Sequence, residues 1–274
     1  MRIDAHQHFW QLAARQGAWP PPALAAIHRD FVPADLAPLL AAHGIDATVL
    51  VQSLPAEDDT LSLLDLADRH AFIAAVVGWT DLKAADAPGR IAALARHRTL
   101  RGLRPMLQDL PDDWIADPAL DAAVDAMLRH RLSFDALVVS RQLPALLAFA
   151  QRHPRLPIVI DHAAKPPIAT GDLAAWRTDI GRLAALPGVC CKLSGLLTEA
   201  GPRWQAADLQ PVLDHLLDRF GAARLLWGSD WPVLDLAADY GAWLQACERL
   251  LAHLPQADRQ AIFGLNARRF YRID

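Results

Sequence analysis

Cysteine is scarce in this 274-residue chain, and basic runs, long apolar stretches and glycine-rich phosphate loops are missing altogether. Each absence removes a class of function. The cysteines Cys190, Cys191 and Cys247 form neither a CxxC pair nor a Cys/His zinc spacing. They are not a disulfide framework and read as small buried hydrophobes in a reducing compartment. Lysine and arginine are dispersed and the formal net charge is -4, so the electrostatic footprint of a phosphate-backbone binder is lacking and nucleic acid is not an expected partner. No uncharged apolar run approaches the roughly 18 residues that span a bilayer, and no basic-then-apolar leader precedes the first strand candidate. The expectation is a cytoplasmic protein with no membrane partner. Neither GxGxxG nor a Walker loop follows any strand candidate, which argues against the nucleotide-binding open sheets.

What is present describes an ordinary globular enzyme, with 53% hydrophobic and 21% charged residues. A chain of this length fits one α/β barrel domain over residues 1–274. Short Val/Ile/Leu-rich runs recur at roughly thirty-residue intervals, each followed by a segment of helical period. The strand candidates are 3–6, 47–52, 72–79, 102–107, 134–139, 157–161, 189–193 and 224–228. Helix ends are readable between them. Pro33-Ala-Asp leads into a helix over 36–42 that Gly44 stops, Asp117-Pro118 is a cap with proline at the first helical position, and Gly221 ends the helix before the last strand. Alternating strands and helices of these lengths require a parallel sheet with crossover helices. Eight repeats predict a closed (β/α)8 TIM barrel, with a doubly wound open sheet as the alternative.

In such a barrel the chemistry gathers at the carboxyl ends of the strands. Those positions hold His6 and His8, Gln52 and Ser53, Trp79 and Asp81, Arg104, Asp135, Asp161 and His162, Lys192 and Ser194, and Asp230 followed by Trp231. His6 and His8 are two apart on a strand and share a face, a pairing suited to metal ligation or carbonyl polarisation. Asp230 follows an apolar strand in Leu-Trp-Gly-Ser-Asp-Trp-Pro. It is either a helix cap or, beside imidazoles, a metal ligand or a general base. Asp161 and His162 alternate along a strand, so Asp161 is expected to support backbone rather than join the site. Arg104 needs an anionic or carbonyl partner on a barrel strand, and an internal pair with Asp135 is the structural alternative. Lys165 is either a substrate-oxygen ligand or a solvated lysine. The long first loop, residues 9–31, with Trp10, Trp19 and three prolines, is expected to cover the site, or else to be a surface loop packed by its own aromatics.

DxHxHFW at the start, GLRPML, DHxAKPP, CKLSGL and LLWGSDWPV, in this order, resemble the amidohydrolase-related branch of the amidohydrolase superfamily. More narrowly, the chain resembles its sugar lactonases, those related to L-fuconolactonase and L-rhamnonolactonase, with 2-pyrone-4,6-dicarboxylate lactonase a more distant cousin. The resemblance runs from His6 to the final Asn-Ala-Arg-Arg-Phe-Tyr segment. It implies hydrolysis of an aldonolactone, a small-molecule substrate of sugar catabolism, by water that Asp230 deprotonates. His6, His8 and His162 would stabilise the oxyanion, Arg104, Lys165 and Lys192 would orient substrate oxygens, and Trp10, Trp79 and Trp231 would stack on the ring. Metal-rich members of the superfamily add a bridging lysine or glutamate on strand four and a histidine on strand five. Arg104 and Asp135 stand there instead, so a binuclear centre is not expected. His6, His8, His162 and Asp230 could hold one zinc, although the lactonase branch includes enzymes that work without metal. A zinc-dependent decarboxylase of the same superfamily is the rival activity, and a catalytically silent sugar-acid-binding barrel is the remote one. The sequence carries no signal for an oligomeric state.

Overall fold

Runs of β-branched and aliphatic residues too short for helices become strands buried on both faces, the pattern that crossover helices impose on a parallel sheet. The computed structural model describes residues 1–274. Its strands are β1 (Ile3–Gln7), β2 (Ala47–Val51), β3 (Ile73–Gly78), β4 (Leu100–Leu103), β5 (Ser133–Ala136), β6 (Ile158–Ile160), β7 (Val189–Leu193) and β8 (Leu225–Trp227). Neighbours pair in parallel and in sequence order. The two edges meet just beyond the regular strands. A bridge joins Gln7 to Trp231, His8 N donates to Trp231 O at 2.8 Å, and Asp230 N donates to His6 O at 2.8 Å. The architecture is therefore the (β/α)8 barrel, and the open sheet is excluded.

The helix signals act where expected. Pro33 opens the first helix, Pro33–His43, and Gly44 ends it at φ 62°. Gly221 ends Ala206–Phe220. Asp117 accepts a hydrogen bond from Ala119 N, but caps a single 3₁₀ turn that precedes the helix Asp121–Arg129. Two strands lie earlier than expected. β4 stops at Leu103, ahead of Pro105, which has no amide to donate to a ladder, and β5 stops at Ala136, where Val138 N turns back to Ala136 O.

The barrel interior is a small apolar cluster of Ile3, Ala5, Val49, Val51, Val77, Val159 and Leu226, closed below by Tyr271 of the last helix. In β1 the alternation that sends Ile3 and Ala5 inward would send Gln7 inward as well, and both histidines outward. The register slips between Asp4 and Gln7, so three residues of β1 advance against two of β2. That bulge inverts the facing beyond Ala5. Asp4 faces outward, accepting from Tyr240 O–H at 3.0 Å, Gln7 faces outward to Thr48 Oγ1 at 3.1 Å, and His6 and His8 turn into the barrel.

Candidate active site

The interior positions nearest the carboxyl ends of the strands are charged. Lys192 Nζ lies 2.8 Å from Asp135 Oδ2 and 2.9 Å from Asp161 Oδ1, all three fully buried. Arg104 Nη1 lies 3.3 Å from Asp161 Oδ2, its Nη2 donates to Gln52 O, and its Nε has no partner. Two cations thus face two carboxylates. Gly102 makes room for them, since a Cβ there would lie 2.3 Å from Ser133 Oγ and 3.0 Å from Asp135 Oδ1. The expected Arg104–Asp135 pair is not formed; Arg104 takes Asp161 and Lys192 bridges the two aspartates.

Asp161 is consequently part of the site's floor, contrary to the expectation that it supports backbone. It shares the inward face with Val159, and its Oδ1 is 3.5 Å from His6 Nδ1. His162 should then face outward, yet it reaches the same centre. The chain leaves β6 through four successive left-handed residues, His162 to Lys165, at φ 52°, 50°, 60° and 51°, and this turn swings the imidazole back over the barrel mouth. The costly backbone is braced from β7. Ser194 Oγ is 2.9 Å from His162 Nδ1, and Gly195 packs so closely that a Cβ would lie 2.6 Å from the same nitrogen. Gly228 plays the corresponding part under His6, whose backbone N would be 3.0 Å from an added Cβ.

Asp230, itself at φ 61°, is not a helix cap; its carboxylate is the centre of the imidazole cluster. Oδ1 is 3.3 Å from His8 Nε2, 3.6 Å from His6 Nε2 and 3.8 Å from His162 Nε2, and the His6 and His8 Nε2 atoms are 3.2 Å apart. Burial lowers the pKa of all three histidines. His162 falls to about 4, His8 is lowered, and His6, where the Lys192 charge adds to burial, falls well below its ordinary value. Burial opposes ionisation of Asp230, but the neighbouring His162, His8 and His6 outweigh it and hold the carboxyl below the ordinary value. Neutral imidazoles around a carboxylate are the working state near neutrality.

The hydrogen bonds then define the tautomers. His8 Nδ1 donates to Val51 O at 2.7 Å, which leaves a lone pair on Nε2. Lys192 Nζ, 3.2 Å from His6 Nδ1, can only donate, so His6 carries its proton on Nε2 and donates to His8. With the proton on Nδ1 instead, His6 donates to Asp161 Oδ1 and both Nε2 lone pairs face Asp230. The His6 and His8 Nε2 atoms and Asp230 Oδ1, 3.2–3.6 Å apart, match the ligand spacing of a tetrahedral zinc, ~3.3 Å for ~2.0 Å bonds, with His162 Nε2, 3.8 Å from Asp230 Oδ1, the more distant fourth donor. His6, His8 and Asp230 form one candidate ligand group, and His6, Asp161 and His162 another.

Above this centre lies a cavity of ≈ 450 Å³ lined by His8, His162, Asp230, Arg104 and Lys165. The long first loop supplies Trp19 and Leu24 to its wall, as a covering loop should. Trp10, Trp79 and Trp231 do not line it. Trp10 and Trp231 are buried against Phe31, and Trp10 packs on Trp19 with ring centroids 5.1 Å apart, so the aromatic presented to a ligand is Trp19. Lys192 does not reach the cavity either; the two carboxylates hold its ammonium beneath His6. Sequence reasoning missed Trp19 as a lining group and Glu199, which also faces the cavity. Trp19 was legible as part of the loop, whereas Glu199 had no signal, because it stands on the short helix Leu196–Ala200 beyond the strand end.

No helix is long and apolar enough to cross a membrane. The family model described as amidohydrolase matches residues 3–273. A protein of Burkholderia ambifaria curated as L-fucono-1,5-lactonase is 61% identical over 278 residues, covering 100% of this chain and 96% of the relative. An L-fucono-1,5-lactonase of Burkholderia multivorans is 42% identical over 286 residues, with the same two coverages. The crystal structure of an amidohydrolase from Burkholderia multivorans with bound zinc superposes with a TM-score of 0.95 at 42% identity, covering 100% of both chains.

Proposed function

The chain belongs to the amidohydrolase family, and on that premise we propose that it hydrolyses a sugar lactone, L-fucono-1,5-lactone or a close aldonolactone, to the open aldonic acid. The observation that carries this reading is the Asp230 carboxylate held among three neutral imidazoles at the floor of a ring-sized cavity, in a chain 61% and 42% identical to two curated L-fucono-1,5-lactonases.

Asp230 accepts a proton from water at the cavity floor, and the water oxygen attacks the lactone carbonyl carbon. Charge develops on the carbonyl oxygen. Arg104, which lines the cavity with its charge fixed by Asp161, and His162 offer donors to that oxygen. His6 and His8 flank Asp230 on the floor of the site. Collapse of the tetrahedral intermediate breaks the ring C–O bond, and the proton on Asp230 passes to the departing ring oxygen, restoring the carboxylate. Lys165 and Trp19 orient the ring from the cavity wall. His6, His8, His162 and Asp230 would hold a divalent ion, which would supply Lewis acidity toward the carbonyl. A lactone is an activated ester, so its opening needs a Lewis acid less than amide hydrolysis does. The decarboxylase reading is not favoured, because Asp135 occupies the fifth-strand position and is committed to Lys192.

Proton release from a panel of 1,4- and 1,5-aldonolactones tests the reading, using protein assayed for metal before and after chelation. Turnover should survive chelation, and Asp230→Asn should lower kcat by about 10²- to 10⁴-fold in a folded protein. Near-normal turnover in a folded Asp230→Asn variant would refute the base. Activity lost on chelation and restored by zinc would make the ion obligatory. Binding of lactones with no turnover would return the silent sugar-acid-binding barrel.

A further inference from the structure

The left-handed turn at Gly195, φ 62°, brings the chain off β7 directly onto His162 and starts the helix Leu196–Ala200 there. Leu196 and Leu197 are buried and anchor that turn, while Thr198 and Glu199 face the cavity. Glu199 stands apart from the other acids of the cavity. Asp230 is surrounded by imidazoles, and the exposed Asp109 accepts from Gln108 Nε2 at 3.3 Å. Glu199 is half-buried, and what it feels is burial, the attraction of Lys165 and the repulsion of Asp230, with no hydrogen bond to either. A carboxylate placed near the catalytic carboxylate, without a donor from the protein, is disfavoured unless a ligand satisfies it.

Resting on the lactonase reading, we infer that Glu199 is a specificity-determining residue whose carboxylate accepts a hydrogen bond from one ring hydroxyl of the substrate. A sugar lactone is the chemical class that fits. It is uncharged, so it adds no repulsion between Glu199 and Asp230, and its ring hydroxyls are donors a fixed distance from the carbonyl that Asp230's water attacks. Lys165, the opposite charge on the same wall, donates to an oxygen of the same edge. The pair reads a polar edge of the ring, and Trp19 with Leu24 covers an apolar part.

The test is a substrate-side double-mutant cycle. Wild-type protein and Glu199→Gln are assayed on lactones that lack or invert one hydroxyl at a time. One member of the panel should be penalised by about 10- to 100-fold in kcat/KM in the wild type, the scale of a hydrogen bond to a charged group, and Glu199→Gln, which keeps only a neutral acceptor, should shrink that penalty while leaving the others. A Glu199→Gln variant that slows every lactone by the same factor, or none, overturns the inference. Failure of the wild type to open any lactone overturns the lactonase reading itself, so the two failures are distinguishable. Thermal unfolding of Glu199→Gln should occur no lower than in the wild type, because the side chain makes no hydrogen bond in the protein and the substitution removes a half-buried charge that Asp230 repels.

Discussion

Lys192→Met places a neutral chain of similar length where the floor of the site holds a buried cation. In the wild type the charges beneath the imidazoles sum to zero, Arg104 and Lys192 against Asp135 and Asp161. The substitution leaves one carboxylate uncompensated at a position with no solvent. Breaking one side of a buried pair costs about 3–5 kcal/mol, and for a chain of this size about 2–4 °C of melting temperature goes with each kcal/mol. The expected fall is roughly 6–20 °C at pH 8. The sign of the pH dependence follows from the charge. An uncompensated carboxylate has its folded pKa raised, so the folded variant binds more protons than the unfolded chain and its stability declines as pH rises. The deficit should therefore shrink between pH 8 and pH 5. Asp135→Asn in the same protein restores neutrality, its amide oxygen accepting from the Tyr271 hydroxyl and its NH2 donating to Ser133 Oγ, which then donates to Arg101 O, so the double variant should recover much of the loss. Thermal unfolding by circular dichroism at pH 5 and pH 8 reads both effects. A loss under 1 kcal/mol at pH 8, or a double variant weaker than the single one, would refute the charge-balance argument.

Gly195→Ala forces a Cβ to within 2.6 Å of His162 Nδ1 at a left-handed position, so His162 must move. The expected result is a kcat lower by roughly 10²-fold, the scale of an ångström of misplacement in an active site, with a smaller loss of stability; unchanged kcat would show that His162 needs no such bracing. Because burial depresses the His162 pKa to about 4, the unfolded chain binds more protons than the folded one between pH 6.5 and 4. Stability of metal-free protein should fall as pH is lowered through that window, by up to ~1.4 kcal/mol per pH unit from this residue. His162→Gln should flatten that slope in urea titrations, and an unchanged slope would place the buried proton deficit elsewhere.

The barrel was legible because each strand and helix carries its own local signal: apolar runs, Pro33, Gly44 and Gly221. The four central residues were legible because strand ends collect the chemistry of this fold. What escaped was backbone geometry that no single residue announces. Strict alternation along β1 predicts the wrong facing for both histidines relative to Ile3 and Ala5, and only the bulge corrects it. Alternation along β6 likewise misplaces His162, sending it away from the face that Asp161 shares with Val159, because a left-handed run through His162, Ala163, Ala164 and Lys165 has no glycine to mark it. Lys192 sat at the right strand end but one layer too deep, a difference in depth that sequence position does not encode.

The meeting of β1 with the segment after β8 has a consequence for how the molecule comes into being. His8 and Asp230 lie 222 residues apart in sequence, and their juxtaposition depends on the last hydrogen bonds that turn a sheet into a barrel. Contacts this distant form late, after the entropy of a very long loop has been overcome. A chain that has completed seven strands and their helices would already hold most of its core, yet would have no centre for turnover. Appearance of turnover during refolding would therefore time barrel closure itself, trailing the recovery of helix signal. Separate fragments carrying β1 and β8 would be inactive alone and active only when they reassociate.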